Sequence, residues 1–216
     1  KIILYFLVFT CFYGQSQKPL LTKDNIDQKK WVDSIYNKLN IDEKIGQLFT
    51  VWVATKYGDD EIKHISKLVK DHHLGGLIFS LGNIEDQAKA INKFQKISKV
   101  PLLISMDAEW GMGMRLDDAF SFPYNMTLGA IKNDSLVYNV GKRIGYHAKR
   151  LGVHINFAPV VDINTNPRNP IIGSRSFGED KFNVTSKALN YLKGMHEYGI
   201  MGAAKHFPGH GDTETD

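Results

Sequence analysis

Short apolar runs alternate with stretches of helical periodicity along most of this chain, and this alternation limits its fold more than any other feature. Four stretches carry apolar residues three or four positions apart, as amphipathic helices do: 61–72, 84–98, 135–151 and 182–198. Five apolar runs lie around them: 48–54, 77–80, 101–107, 154–162 and 202–206. Strands that alternate with helices predict a parallel α/β fold, and short apolar runs without strict alternation are typical of strands covered on both faces.

Two further helices are predicted before the first strand. Apolar residues recur at a spacing of four over residues 28–39, which predicts an amphipathic helix that includes Trp31. A second, short helix starts near Asn40, with Asp42 and Glu43 in its first turn.

Two parallel architectures compete for these strands: a doubly wound sheet and the first five units of a (β/α)8 TIM-type barrel. Polar residues at the carboxyl ends of four strands favour the barrel, because a barrel gathers those ends around one mouth: Ser80, Asp107, Asp162 and Lys205 with His206. A doubly wound sheet commonly has a glycine-rich loop after its first strand, and residues 55–58 show no such pattern. A barrel has eight units, so about three would lie beyond residue 216.

Composition and charge exclude several classes of protein. The chain has 216 residues, 43% of them hydrophobic, which is enough for one sizeable core. Its net charge of +4 is too small and too dispersed to indicate nucleic acid as a partner. A single cysteine, Cys11, excludes a disulfide framework and a thiolate zinc site.

The amino-terminal residues predict export. Residues 2–13 carry no charge and follow Lys1; they are too few to span a bilayer, which takes roughly 20 apolar residues, but they fit the apolar region of a signal peptide. We therefore expect a signal peptide over residues 1–16 and, over 17–216, the amino-terminal part of a barrel domain truncated at 216. Two alternatives are open for this leader, residues 1–16: it forms a buried strand of the mature fold, or it is a lipoprotein signal with lipidation at Cys11. The expected location is periplasmic, outer-membrane-associated or secreted, with membrane anchoring only through the leader.

Charged residues follow the third predicted strand. Asp107 ends it, and Glu109 and Arg115 come next, separated by two glycines. A carboxylate that faces a barrel mouth can accept hydrogen bonds from two sugar hydroxyls. The alternative role for Asp107 is to cap the amides of the next loop, and Glu109 is equally compatible with a structural role.

A long loop over residues 164–180 follows the fourth predicted strand, and such loops in compact α/β domains are often functional. Arg175 stands there directly after an apolar segment that would fix it, and a guanidinium can bind carboxylates, hydroxyls or amide carbonyls. A salt bridge to Glu179 or Asp180 is the alternative. Arg168, in the same loop, is open to either interpretation.

The last fifteen residues carry the densest set of proton-transferring and hydrogen-bonding groups. Lys205 and His206 end the fifth predicted strand, and the proline and glycines that follow predict an irregular, mobile loop. Four side chains of this stretch have the chemistry of metal ligands: His206, His210, Asp212 and Asp216. Pro208 and Gly209 break the helix that would place both histidines on one face, so neither a metal nor a cofactor is expected.

These segments carry a resemblance to a known family. Four of them, SMDAEWG, FAPVVD, IGSRSFGED and KHFPGHGDTETD, resemble glycoside hydrolase family 3, and the extension PGHGDTxxD resembles its β-N-acetylglucosaminidase branch. The likeness runs from about Asp42 onward. It implies a (β/α)8 barrel that removes terminal, non-reducing β-linked N-acetylglucosamine with retention of configuration.

The resemblance also implies roles for individual residues. Asp107, Arg175, Lys205 and His206 match the positions that hold the sugar. Asp216 matches an aspartate that orients an acid/base histidine, which would stand two residues later; the nucleophilic aspartate would lie further on. The expected partner is a carbohydrate, either a peptidoglycan fragment (a muropeptide) or a chitin-like oligosaccharide.

One segment departs from the family pattern. The residues after the third strand usually read Asp-Gln-Glu-Gly-Gly, whereas here Trp110 adds an aromatic ring that would stack on a sugar at a neighbouring subsite. Arg115 and His210 are further candidates, His210 as a residue that shapes the mobile loop. The alternatives to this function are a family 3 β-glucosidase or β-xylosidase and a non-catalytic sugar-binding relic. A further C-terminal domain would be compatible with either enzyme.

Overall fold

The computed structural model describes residues 25–215, and these divide into two compact units, residues 25–38 and 39–215. In the first unit, α1 (Asn25–Tyr36) buries none of its residues. The helix predicted over 28–39 is confirmed over most of its length, but it ends before Leu39 and its Trp31 is exposed. The predicted leader with Cys11, and Asp216, lie outside the described residues.

Five parallel strands form the sheet of the second unit in the order β1-β2-β3-β4-β5. They are β1 (Thr50–Ala54), β2 (Gly76–Ser80), β3 (Leu103–Met106), β4 (Ile155–Asn156) and β5 (Met201–Gly202). Each strand pairs with the next along the chain. A doubly wound sheet reverses its strand order at a switch point, and this sheet does not. The order is that of the first five units of a barrel, as predicted.

Six α-helices flank this sheet within residues 39–215: α2 (Ile41–Gly46), α3 (Gly58–His72), α4 (Ile84–Ile97), α5 (Asn125–Gly129), α6 (Asp134–Leu151) and α7 (Lys181–His196). Their starts follow the local sequence. Asn40 forms a capping box with Glu43, and the side chains of Asn83 and Asp180 accept backbone N–H bonds at the starts of α4 and α7. The sequence pattern did not predict α5, which is only five residues long. No helix in the described part of the chain is long and apolar enough to cross a membrane.

The fourth and fifth strands are much shorter than predicted. Residues 154–162 and 202–206 were expected as strands, but the regular ladder covers two residues in each. Pro159 interrupts it because proline has no N–H to donate. The two segments nevertheless remain side by side beyond the ladder: the Lys205 N–H donates to the Pro159 carbonyl at 3.0 Å, and the Val161 N–H donates to the Lys205 carbonyl.

Close packing between α6 and α7 depends on glycine. A Cβ atom on Gly194 would lie 2.1 Å from the Tyr138 carbonyl oxygen, and one on Gly141 would lie 2.1 Å from the Tyr191 carbonyl oxygen. The two helix backbones can therefore approach only where these side chains are missing. This approach brings Tyr191, which is completely buried, to the underside of the segment that follows β3.

Candidate active site

The segment after β3 is held by two side chains from neighbouring elements. Asn156 in β4 accepts the Ala108 N–H at 2.9 Å and donates to the Ala108 carbonyl at 3.1 Å. Tyr191 in α7 donates its hydroxyl to the Glu109 carbonyl at 3.0 Å, and burial raises the pKa of this phenol, so it remains a donor. Asp107 and Glu109, on either side of Ala108, are thereby fixed at the carboxyl end of the sheet.

Lys205 connects these two carboxylates. Its Nζ lies 2.8 Å from Asp107 Oδ1 and 2.8 Å from Glu109 Oε1. Arg115 contacts the other oxygen of Asp107 at 3.1 Å and donates through Nε to the Asp107 carbonyl. Asp107 is therefore held by two cations rather than capping the next loop. Because an ionised carboxylate has about four lone-pair sites, it can still accept further hydrogen bonds.

Arg175, in the long loop after β4, contacts the carboxylate of Glu109. Its Nη2 lies 2.8 Å from Glu109 Oε1 and its Nε lies 3.0 Å from Glu109 Oε2, which is a two-point ion pair. The side chain of Glu109 is fully buried while that of Arg175 is 23% exposed. The predicted alternative, a salt bridge from Arg175 to Glu179 or Asp180, is not what the structure shows.

Burial and neighbouring positive charges have opposite effects on the pKa of Glu109. Burial raises the pKa of its carboxyl, but the hydrogen bonds and positive charges of Arg175 and Lys205 together outweigh burial and hold that pKa below its usual value. The hydrogen bond to Glu109 in turn raises the pKa of Arg175. Glu109 stays ionised and buried, so it positions two cations and does not itself meet solvent.

His206 is paired with a carboxylate that the sequence analysis had not included among the candidates. Its Nδ1 lies 2.6 Å from Asp162 Oδ2, and its backbone N–H donates to the same oxygen at 3.1 Å. The other oxygen of Asp162 accepts the His210 N–H at 2.7 Å. Asp162 was predicted at a strand end, the same signal that selected Asp107, but that signal was used only to choose the fold and not to assign Asp162 to the site.

The loop after Lys205 is attached to the segment that follows β4. Asn169 donates to the His210 carbonyl at 2.6 Å, and Gly211 lies so close to the Ile163 carbonyl that a Cβ atom would be 1.8 Å from its oxygen. The Nδ1 of His210 lies 2.6 Å from the hydroxyl of Thr213. His210 is thus tied into its own loop, in keeping with a shaping role. Within residues 25–215, no three His, Cys, Asp or Glu side chains are grouped to hold a metal ion.

An open cleft of about 570 Å³ lies over these groups, within the size range of small-ligand sites. Its lining comprises Asp107, Glu109, Trp110, Met114, Arg115, Phe157, Arg175, Lys205 and His206. Trp110 packs edge-on against Tyr124, with ring centroids 4.6 Å apart. The structure therefore brings together all the described residues predicted to bind sugar, and it places His210 outside the lining.

Three residues of this arrangement were not predicted as site residues: Asn156, Asp162 and Tyr191. Asn156 and Tyr191 stand within a predicted strand and a predicted helix, where nothing distinguishes them from other polar or aromatic residues. Only the packing of α7 under β3 and β4 shows that they support the charged segment.

Fold and cleft together define a β/α-barrel protein whose ligand site lies at the carboxyl end of the sheet, where barrel enzymes carry their active sites. Three cations and two carboxylates in one cleft can form charge-assisted hydrogen bonds with a ligand rich in hydroxyl groups. Residues 40–216 match the glycosyl hydrolase family 3 N terminal domain. The chain belongs to this family.

Named relatives agree with this assignment. The chain is 33% identical over 214 residues to beta-hexosaminidase A of Pseudoalteromonas piscicida, covering 93% of this chain and 35% of the relative. A solved glycoside hydrolase family 3 β-N-acetylglucosaminidase from Paenibacillus sp. str. FPU-7 is 37% identical, with a TM-score of 0.74, over 82% of this chain and 35% of that chain. The β-glucoside phosphorylase BglX bound to 2FGlc gives a TM-score of 0.82 at 28% identity, over 90% of this chain and 34% of that one. This chain thus spans about a third of the length of each of these three proteins.

Proposed function

We propose that the protein carrying this chain is a retaining glycosidase that removes terminal, non-reducing β-linked N-acetylglucosamine. The observation that carries the proposal is the Lys205 ammonium, which lies between Asp107 and Glu109 at the floor of the cleft. Asp107 would accept hydrogen bonds from sugar hydroxyls, and Lys205, Arg115 and Arg175 would donate to them. The relatives named as a hexosaminidase and a β-N-acetylglucosaminidase support N-acetylglucosamine as the sugar.

The bond-breaking groups are a separate part of this proposal. Asp216, outside the described residues, would orient an acid/base histidine two positions further along, and an aspartate nucleophile would come from a later strand. Both would be supplied by a longer polypeptide, of which this chain forms the amino-terminal barrel part. A histidine whose pKa is near the working pH can protonate the leaving oxygen and then deprotonate water, and an adjacent carboxylate selects its tautomer.

A β-glucosidic substrate is the second candidate. It rests on the β-glucoside phosphorylase, whose fold has the higher TM-score of the two solved structures described above. The polar cleft alone does not choose between the two sugars, since Asp107 and Lys205 would contact hydroxyls that both sugars share.

Release of nitrophenol distinguishes the two candidates. The full-length protein is given p-nitrophenyl β-N-acetylglucosaminide and p-nitrophenyl β-glucoside, with and without inorganic phosphate. We expect faster release from the N-acetylglucosaminide, independent of phosphate. Preference for the glucoside would favour the second candidate, and activity on neither would favour a sugar-binding relic. The 216-residue chain alone should release no product.

We further propose that the protein is exported and acts on peptidoglycan fragments or chitin-like oligosaccharides. The uncharged leader over residues 2–13 supports export, through cleavage after residue 16 or lipidation at Cys11. Cell fractionation of the wild-type and Cys11→Ser proteins tests this: loss of membrane association in the variant alone would identify a lipid anchor. Comparing turnover of a muropeptide with that of chitobiose tests the natural substrate.

A further inference from the structure

Asp162 is a fully buried carboxylate, and its hydrogen-bond partners among residues 25–215 come from the loop after β5. It accepts three hydrogen bonds: from the backbone N–H of His206 at 3.1 Å, from the ring Nδ1 of His206 at 2.6 Å and from the backbone N–H of His210 at 2.7 Å. An ionised carboxylate only accepts, so the ring nitrogen that faces it must carry a proton. The hydrogen bond between Asp162 and His206 Nδ1 therefore places the proton of a neutral imidazole on Nδ1.

The second ring nitrogen of His206 has a different environment. In the described part of the chain Nε2 makes no hydrogen bond, and His206 lines the cleft with 34% of its side chain exposed. In a neutral ring with the proton on Nδ1, Nε2 is a hydrogen-bond acceptor. Lys205, Arg115 and Arg175 can only donate, so a neutral His206 adds an acceptor to a side of the cleft rich in donors.

We propose that Asp162 is a positioning residue for His206. It holds the imidazole in the Nδ1–H tautomer, so that Nε2 accepts a hydrogen bond from a substrate hydroxyl. The backbone bond to His210 fixes the same carboxylate against the rest of the loop, which limits rotation of the ring. The hydroxyl partner rests on the proposed function, whereas the tautomer does not.

Nitrogen-15 NMR of the full-length protein labelled at histidine tests the tautomer without any substrate. The His206 signals are identified by their absence in His206→Gln, and spectra are taken at a pH where the ring is neutral. We expect a directly bonded proton on Nδ1 and none on Nε2. The opposite pattern in the wild-type protein would overturn the proposal, even if no Asp162 variant folds.

Asp162→Ala supplies the variant arm. Alanine removes the acceptor that faces Nδ1, so we expect the strict preference for Nδ1–H to be lost and protonation at Nε2 to appear in this variant. Asn169→Ala is the matched control, because Asn169 also holds this loop, through the His210 carbonyl, but does not touch the His206 ring. The control should lower the melting temperature and leave the tautomer unchanged. A proton that stays exclusively on Nδ1 in folded Asp162→Ala would contradict the proposal.

A kinetic cycle then tests the link to substrate. We expect Asp162→Ala to lower kcat/KM at least tenfold in the wild-type background and less than threefold in the His206→Gln background, because the effect acts through the ring. The loss caused by Asn169→Ala should be the same in both backgrounds. Equal losses for Asp162→Ala in both backgrounds would show that Asp162 acts only as a loop anchor. Inactivity of the wild-type protein on every glycoside would instead count against the proposed function and leave the NMR result standing.

Discussion

Glu109 and Arg175 stand 66 residues apart in the chain and form a two-point ion pair, with oxygen–nitrogen distances of 2.8 and 3.0 Å. The carboxylate is fully buried and also contacts Lys205. A buried carboxylate is costly unless it is paired, and here two cations compensate it. The pair therefore joins the segment after β3 to the long loop after β4 and sets the floor of the cleft.

Replacing Glu109 with glutamine should destabilise the protein strongly. The change leaves Arg175 and Lys205 close together without their shared negative charge, and breaking a buried pair from one side costs about 3–5 kcal/mol. We expect a lower free energy of unfolding in urea by that amount. Glu179→Gln is the control, since Glu179 is exposed in the same loop and should change stability by about 0.5 kcal/mol or less. Equal effects of the two variants would contradict the role of Glu109.

Stability should also depend on pH through this carboxyl. The pKa of Glu109 in the folded protein lies below the usual 4.5, which is the value expected when the chain unfolds. Its contribution is therefore fully present above pH 4.5 and is lost as the pH falls through the folded-state pKa. The difference in free energy of unfolding between wild type and Glu109→Gln should be constant near neutral pH and shrink in acid. A difference that grew on acidification would show that the folded-state pKa is raised.

Part of this site follows directly from the sequence. Asp107, Lys205 and His206 come directly after apolar runs, and parallel strands in one sheet bring their carboxyl ends together. That rule needs only the alternation of strands and helices. It also applies to Asp162, whose importance becomes visible once the paired His206 is seen.

Other contacts depend on tertiary packing that the sequence pattern does not contain. Local spacing offered Glu179 or Asp180 as the alternative partner of Arg175, but the short helical turn at Gly173–Arg175 directs the guanidinium to Glu109 instead. Strand lengths were overestimated at Pro159, because apolar content alone does not show where ladder hydrogen bonds stop.

Removal of the Lys205 charge should reduce catalysis by the full-length protein. Lys205→Met keeps the length of the side chain but removes the hydrogen bonds to Asp107 and Glu109 and any bond to substrate. Hydrogen bonds to charged groups contribute about 1.5–3 kcal/mol, so kcat/KM should fall about 10- to 100-fold. Arg168→Met is the control: Arg168 pairs with Glu214 at an exposed position of the neighbouring loop. Such pairs contribute about 0–1 kcal/mol, so kcat/KM of the control should fall less than about fivefold. Similar losses in the two variants would show that Lys205 does not contribute to catalysis through this site.

Trp110 should affect extended substrates more than short ones. Its ring lines the cleft and packs against Tyr124, so a sugar beyond the one being released could stack on it. Aromatic contacts contribute about 0.5–1.5 kcal/mol beyond buried area, so Trp110→Ala should raise KM for chitobiose about 2- to 12-fold. KM for the p-nitrophenyl monosaccharide should change less. Tyr124→Phe, which keeps the supporting ring, serves as the control. Equal increases for both substrates would place Trp110 against the released sugar instead.

Gly194 should tolerate no side chain, because α6 and α7 meet there backbone to backbone. A Cβ atom would lie 2.1 Å from the Tyr138 carbonyl oxygen and 2.5 Å from the backbone nitrogen of Lys142. Neither backbone group can move without displacing α6. Overpacking of this kind costs about 1–3 kcal/mol, so Gly194→Ala should lower the melting temperature of the full-length protein measurably, although alanine is the better helix former. Lys193→Ala, at the adjacent exposed position of α7, should change stability by about 0.5 kcal/mol or less. A stabilised Gly194→Ala protein would mean that helix propensity outweighs the contact and that the two helices can separate.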